Sequence, residues 1–319
     1  MLVAINQHGE RVRATEALKE NDYFCPYCKT ELILKKGIKV TTHYAHKSNV
    51  HRKCAKAETE KHYYAKFFIA NLLKQHGYNV EIEPYCPTIM QYPDILIDSK
   101  IAMEIQFSRI SLQEIRERSL GFKSLGVEVV WIIEDAKYHK GVLHLNTFQA
   151  YFINPLIRTL ITWDKSKQLL YKYSQIQHLE GRKFLAKKEI LQMNNIKNDD
   201  TVLYWHTFKL SNDKITKYIQ QCRRKNSVLE PTLSAMYQLR MTDTDVCNSS
   251  GFIFPQQLYI ENHPVQWQLQ LNLLKYQNNL SKDSLIKYLR FRHFYLNNYD
   301  QLSLTSELIN AYVNVTNSS

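Results

Sequence analysis

Residues 92–108 read YPDILIDSKIAMEIQFS, and this stretch decides the fold. Two apolar runs, DILI and IAMEIQF, flank Asp98-Ser99-Lys100. β-Branched runs bounded by turn formers predict a β-hairpin. With the turn centred on Ser99, Asp94 stands opposite Glu104. Side chains alternate along strands, so Asp94, Leu96, Ala102, Glu104 and Gln106 share one face. Ile95, Ile97, Ile101, Met103, Ile105 and Phe107 share the other, a continuous apolar surface for a core. Opposed carboxylates have Cβ atoms roughly 5 Å apart, and like charges there destabilise a sheet. A hard divalent cation, Mg²⁺ or Mn²⁺, would remove the repulsion, because such ions are held by one or two carboxylates plus substrate phosphates. The competing reading is a solvated hairpin face with one acid paired to Lys100 or Lys66.

Elements on either side extend the hairpin into an α/β core. Before it, AETEKHYYAKFFIANLLKQ (57–75) is rich in helix formers, and Gly77 is placed to cap it. Tyr64, Phe67, Phe68, Asn71, Leu72 and Gln75 fall at helical spacing and are expected to face the core. Glu58, His62 and Lys66 form a polar stripe of about 12 Å on another side, which as a pattern alone describes an ordinary solvated helix face. NVEIEP then reads as a strand. After the hairpin, Ser111-Leu112-Gln113-Glu114 matches a capping box. The helix it opens keeps Ile115, Ser119, Phe122 and Leu125 on one face. VEVVWII (127–133) is an apolar run of central-strand type. The order helix, strand, hairpin, helix, strand predicts a mixed sheet with helices on its faces.

Residues 1–56 form a separate module. Cys25-Pro26-Tyr27-Cys28 is a CxxC knuckle, and His43-Tyr44-Ala45-His46 and Cys54 follow it. ELILKK and KVTTHYAH read as a hairpin turning at Gly37. Two knuckle-spaced pairs brought together by a hairpin supply the four ligands that structural Zn²⁺ requires. Cys25, Cys28, His43 and His46 are one set; Cys54 could replace either histidine, and His51 is near. Residues 151–319 read as a mainly helical basic domain that opens with a hairpin, TLITWD and QLLYKYSQIQ. DKITKYIQQCRRK, PVQWQLQLNLLKYQ and SKDSLIKYLRFRHFYLNN are amphipathic helices. In the last, Lys287, Arg290, Arg292 and His293 interleave with aromatics, a pattern that suits single-stranded nucleic acid or, equally, a core with solvated charges.

The chain has 319 residues, and 42 Lys and Arg against 30 Asp and Glu give a net charge of +12. Residues 1–55 carry 10 basic and 5 acidic side chains, residues 56–150 carry 11 and 12, and residues 151–319 carry 21 and 13. Basic flanks around a near-neutral middle suit a polyanion held over an acidic site. No apolar run approaches the ~18 residues of a membrane span, and no leader pattern is present. A soluble cytoplasmic protein without membrane insertion is expected. Six cysteines in this length do not make a disulfide scaffold.

The PD and ExQ of the hairpin, between two helices and followed by an apolar strand, resemble the core of PD-(D/E)xK nucleases. CPYC, THYAHK, Cys54, AETEKHYYAK, EIEP, YPDILI, AMEIQFSRIS, ERSLGFKSLG and VVWII, in this order, closely resemble the competence protein CoiA family over about residues 1–135. The resemblance implies a zinc-ribbon-like amino terminus (1–56), a restriction-endonuclease-like core (57–150), and a role in recombining incoming single-stranded DNA during transformation, alongside the RecA recombinase. It aligns Asp94 and Glu104 with the two metal-binding acids, Gln106 with the usual lysine, Glu58 with the helix acid, and His62 and Lys66 with the rest of ExxxHxxxK. Tyr92 stands where the family has arginine, Thr59 where serine is usual, and Phe122 where tyrosine is usual. The chemistry implied is Mg²⁺- or Mn²⁺-assisted phosphodiester hydrolysis. Lys66 would supply the charge that Gln106 lacks, Glu58 an outer shell, and Arg116 and Arg118 phosphate contacts. Because glutamine is neither base nor cation, an accessory of low or no activity is the alternative. An adaptor docking another recombination protein is a third reading.

Overall fold

A computed structural model of the protein describes residues 1–26, 29–36, 42–47, 60–193, 196, 206–227, 229–296 and 299–317. It divides into two units, Met1–Ser108 with Glu117–Ile132, and Arg109–Arg116 with Ile133–Ser319. Among the described residues no helix is long and apolar enough to cross a membrane.

In the first unit, β1 (Val3–Ile5), β2 (Arg11–Arg13), β3 (Tyr23–Phe24), β4 (Glu31–Lys35) and β5 (His43–His46) form an antiparallel sheet in the order β2-β1-β3-β4-β5. The expected β4–β5 pairing is present, from Leu32 opposite His46 to Lys35 opposite His43; its turn at Gly37 lies outside the described residues. The β1–β2 turn is fixed by the Asn6 side chain, which accepts the His8 and Glu10 amides, while Gly9 takes φ +80°. Met1, Ala4, Ala14, Ala17, Tyr23, Cys25, Leu32 and Tyr44 make a small core.

Helix α1 (Glu60–Gln75) follows and ends before Gly77, whose φ of +84° is the left-handed cap expected there. β6 (Val80–Ile82), β7 (Ile95–Ile97) and β8 (Ile101–Gln106) form an antiparallel meander. Helix α2 (Leu112–Ser124) leads to β9 (Glu128–Glu134), which lies next to β8. The Ser111 hydroxyl accepts the Glu114 amide at 3.1 Å, as the capping box requires. Ile95, Ile97, Ile101, Met103 and Ile105 are all buried, so the apolar hairpin face is core.

The phase of α1 differs from expectation. Ala65, Lys66, Ile69, Ala70 and Leu73 are its buried residues, whereas Tyr64 and Gln75 are exposed. His62 and Lys66 of the polar stripe therefore lie on the inward side. Tyr63 and Phe67, 4.5 Å apart between ring centroids, are engaged elsewhere, because His43 of β5 packs 5.0 Å from Tyr63. The helix thus buries Ala65, Ile69 and Leu73 while Tyr63 meets β5 of the amino-terminal sheet.

In the second unit, β10 (Lys137–His139), β11 (Val142–His144), β12 (Leu160–Asp164), β13 (Leu169–Glu180) and β14 (Lys183–Ile190) form an antiparallel sheet in the order β10-β11-β14-β13-β12. Helix α3 (Thr147–Ala150) precedes β12. The expected hairpin is β12–β13, from Leu160 opposite Tyr173 to Asp164 opposite Leu169. Helices α4 (Asn212–Arg224), α5 (Pro231–Gln238), α6 (Asp243–Ser249), α7 (Pro264–Tyr276), α8 (Lys282–Leu285) and α9 (Gln301–Asn317) complete the unit, with a short ladder of β15 (Phe208–Lys209) and β16 (Phe252–Ile253). Of the expected helix over 281–298, the described residues form only α8 and the 3₁₀ turn Ile286–Tyr288. Beyond it the chain runs extended, because its backbone groups pair with residues 259–261: Arg292 donates to Tyr259 O, and Glu261 donates to Arg290 O, both at 2.8 Å.

Candidate functional site

The hairpin closes through Asp98 and Ser99, both left-handed at φ +50° and +55°. Lys100 donates its amide to Ile97 O at 2.9 Å. Aspartate tolerates this conformation better than most residues, and here its side chain also accepts the Asn79 amide at 3.0 Å. The turn sets the register Ile97–Ile101, Leu96–Ala102, Ile95–Met103. Extended by one residue beyond β7, the same register sets Asp94 opposite Glu104, the placement expected from the sequence.

Glu104 is shut off from solvent and Asp94 largely so, with 14% of its side chain exposed. Glu104 is 1% exposed, and Lys66, on the helix above, 0%. The repulsion expected between the carboxylates is relieved by protein cations. The Nε2 of His62 lies 3.1 Å from Asp94 Oδ2 and 2.7 Å from the carbonyl oxygen of Ile105. Both neighbours can only accept, so Nε2 carries a proton. Asp94 Oδ2 also accepts the Ile105 amide at 2.8 Å. Arg118 of α2 donates to Glu104 Oε2, and at 3.4 Å to Tyr92 O. Lys66 donates to Glu83 Oε1 at 2.5 Å, while the other Glu83 oxygen accepts the Leu2 amide at 2.9 Å. Burial opposes ionisation of Asp94. The charge and hydrogen bond of His62, with the charges of Lys66 and Arg118, outweigh it and bring the carboxyl down to about 2. Asp94, Glu104 and Glu83 thus face His62, Lys66 and Arg118 in one buried cluster drawn from α1, β6–β8 and α2.

The structure assigns different positions to several residues singled out in the sequence. Gln106 turns away from the acids and donates to Ser108 O at 2.6 Å and to Ser108 Oγ at 3.2 Å. Lys66 is bound to Glu83, so it reaches Asp94 only through its field. Arg118 holds Glu104 and is not an exposed phosphate contact. Glu58 lies outside the described residues. Phe122, in place of the usual tyrosine, is fully buried. Near Tyr92, Arg11 of β2 places its guanidinium 3.4 Å from the Tyr85 ring centre and 5.5 Å from that of Tyr92. Glu83 was missed; its only sequence signal is an acid inside the strand EIEP.

Among the described residues no three His, Cys, Asp or Glu side chains are grouped to hold a metal. Asp94, Glu104 and the Ile105 carbonyl are nonetheless hard oxygen donors on adjacent strands, the donor chemistry that Mg²⁺ or Mn²⁺ takes. In the amino-terminal module, Cys25 is buried at the start of a tight turn: its carbonyl accepts the Lys29 amide at 2.9 Å and its amide donates to Thr30 O at 2.8 Å, with Lys29 at φ +59°. This turn fits a metal knuckle. Cys28 and Cys54 lie outside the described residues. His43 and His46, three apart on β5, point to opposite faces, and His43 is the one against Tyr63.

The basic residues of the carboxy-terminal segment divide by burial. Arg292 is 4% exposed, donating to Leu258 O at 3.0 Å and covering the Phe184 ring at 5.0 Å. It is a structural residue, contrary to expectation. Lys287 and Arg290 are exposed. Arg116 donates to Phe294 O at 3.5 Å and lies 3.4 Å from His293 Nδ1.

Comparison with known proteins agrees with this core. Residues 58–204 match the sequence model of the competence protein CoiA nuclease-like domain, and residues 7–56 that of the CoiA N-terminal domain. The competence protein CoiA of Bacillus subtilis (strain 168) is 31% identical over 171 residues, covering 50% of this chain and 45% of that protein. The chain therefore matches less than half the length of this curated relative. No solved structure matches it.

Proposed function

Taking as premise that the chain belongs to the competence protein CoiA family, we propose that it binds incoming single-stranded DNA during transformation and processes it by metal-dependent phosphodiester hydrolysis. The observation that carries this reading is the pair Asp94 and Glu104, on adjacent strands beside the Ile105 carbonyl, inside a nuclease-like domain. These groups would hold Mg²⁺ or Mn²⁺, which when bound polarises a phosphate and acidifies a water. The protein's own part is to keep both acids ionised and in register. His62 and Arg118 do so now, and Lys66 adds positive field from the helix. The test is incubation of the purified protein with single-stranded, duplex and branched DNA, with Mg²⁺, with Mn²⁺ and with a chelator. Metal-dependent cleavage that disappears in Asp94→Ala and Glu104→Ala is the expected result. Cleavage that survives either substitution overturns the assignment.

A second reading rests on Gln106. Its amide is engaged with Ser108, so the position where lysine is usual offers the acids neither a base nor a charge. On that reading the protein is a DNA-binding accessory in homologous recombination, or an adaptor for the RecA recombinase, without cleavage of its own. Binding without cleavage, with cleavage gained in Gln106→Lys, distinguishes the two.

A further inference from the structure

A cavity of about 670 Å³ opens in the second unit, between the β10–β11 hairpin, the β13–β14 turn and the start of α4. Its rim is basic. Lys137, His139, Lys140, His144, Lys183 and Lys214 line it, with Glu180 as the one acid of the lining. The register shows how the charge is arranged. Lys137 of β10 is opposite His144 of β11, and His144 is opposite Lys183 of β14. Three basic residues therefore form one row across three neighbouring strands. Like charges directly opposite one another destabilise a sheet. Glu180 compensates only one end, donor and acceptor meeting at 2.5 Å with Lys183, while its other oxygen accepts from His263 at 3.1 Å. Among the described residues Lys137, Lys140 and Lys214 pair with no carboxylate, and all three are exposed. The floor is apolar, from Val142 with buried Leu179 and Leu210.

We propose that this cavity binds the phosphodiester backbone of a single DNA strand. Strands lie ~4.8 Å apart, so the row from Lys137 to Lys183 spans roughly 10 Å, room for more than one phosphate. The aromatic residue at the cavity, Tyr138, is already engaged: its hydroxyl donates to Ala186 O at 3.0 Å, and its ring packs edge-on at 5.5 Å against Tyr173. Recognition is therefore through phosphates and independent of sequence, with no base stacked on the protein here. The assignment rests on the DNA-binding part of the proposed function and not on cleavage.

The experiment measures binding of a fluorescent oligo-dT to the full chain in chelator, across a range of salt concentrations. Each phosphate contact contributes about 0.7 to the slope of log affinity against log salt for a single strand. Lys137→Gln/Lys140→Gln/Lys214→Gln is expected to flatten the slope by about 2, and Lys140→Gln alone by about 0.7, with no fall in melting temperature. An unchanged slope in the triple variant of a protein that binds DNA overturns this site and leaves the proposed function standing. A protein that binds no oligo-dT even at low salt overturns both. If inorganic phosphate at matched ionic strength displaces the oligonucleotide from the parent, the cavity takes the free anion, and the strand assignment fails.

Discussion

The carboxylates at positions 94 and 104 behave differently in the structure from their reading as an isolated pair. Two bare acids across a ladder would gain stability on losing one of them. With His62 on Asp94 and Arg118 on Glu104, the sign reverses. Glu104→Ala removes the carboxylate that a largely buried guanidinium donates to, and breaking such a pair costs about 3 kcal/mol. The denaturant midpoint should fall accordingly, without added metal. Glu104→Ala/Arg118→Ala should cost less than the two single changes together, because the pair acts as a unit. A second residue-scale prediction concerns acid. The hydrogen bond from His263, joined by that from Lys183 and opposed by burial, holds the Glu180 carboxyl at about 2. In the unfolded chain a glutamate titrates near 4.3. Its contribution is therefore complete above about pH 4.3 and is lost as pH falls towards 2. In His263→Asn, asparagine can still cap α7 but not reach Glu180 in the same way. Acid unfolding over that window should be less steep than in the parent.

At the scale of elements, α1 gives the clearest test of how it packs. Leu73 is fully buried, and Leu73→Ala should cost about 2–5 kcal/mol. Tyr64 is 41% exposed, and Tyr64→Ala should stay within about 0.5 kcal/mol. Thermal or denaturant unfolding of the two variants checks the assignment; equal losses would mean that the helix is rotated. The hairpin, by contrast, was legible in the sequence down to its register, because period-two alternation and the Asp98-Ser99 turn are local signals. The phase of α1 was not, since Tyr63, Tyr64, Phe67 and Phe68 outweigh Ala65, Ile69 and Leu73 in any count of apolar residues. Tyr63 instead meets His43 of the amino-terminal sheet, a contact that no local pattern announces. The ion pairs were illegible for a related reason. Glu83 and Arg118 are ordinary charges until the fold places Lys66 and Glu104 beside them. The segment after Tyr288 was misread because aromatics interleaved with cations fit a helix as well as they fit an extended strand bonded to residues 259–261.

At the scale of the whole molecule, the first unit is tied together across its length. Leu2 reaches Glu83, Arg11 covers Tyr85, and His43 packs on Tyr63. Among the described residues the amino-terminal core has eight buried members, three of them alanine, and cores this small usually need a further support such as a structural metal. One zinc ion per chain is expected by metal analysis, held by Cys25, Cys28, Cys54 and one histidine, His46 being placed away from Tyr63. Cys25→Ser/Cys28→Ser should lose it. Because the module is bonded to α1 and β6, that loss should also lower the melting temperature of the nuclease-like core; a core that melts unchanged would mean that the two fold separately.

One feature of the second sheet bears on how the protein survives in a crowded solution. β10 is three residues long and stands at the end of the strand order, with Lys137 and Lys140 on it or next to it. Short, lysine-bearing edge strands resist pairing with the edge of another molecule. The lysines that line the cavity therefore also act as gatekeepers against aggregation. Neutral glutamine at both positions should raise light scattering of the concentrated protein on warming, whereas glutamate, which keeps a charge at the edge, should not.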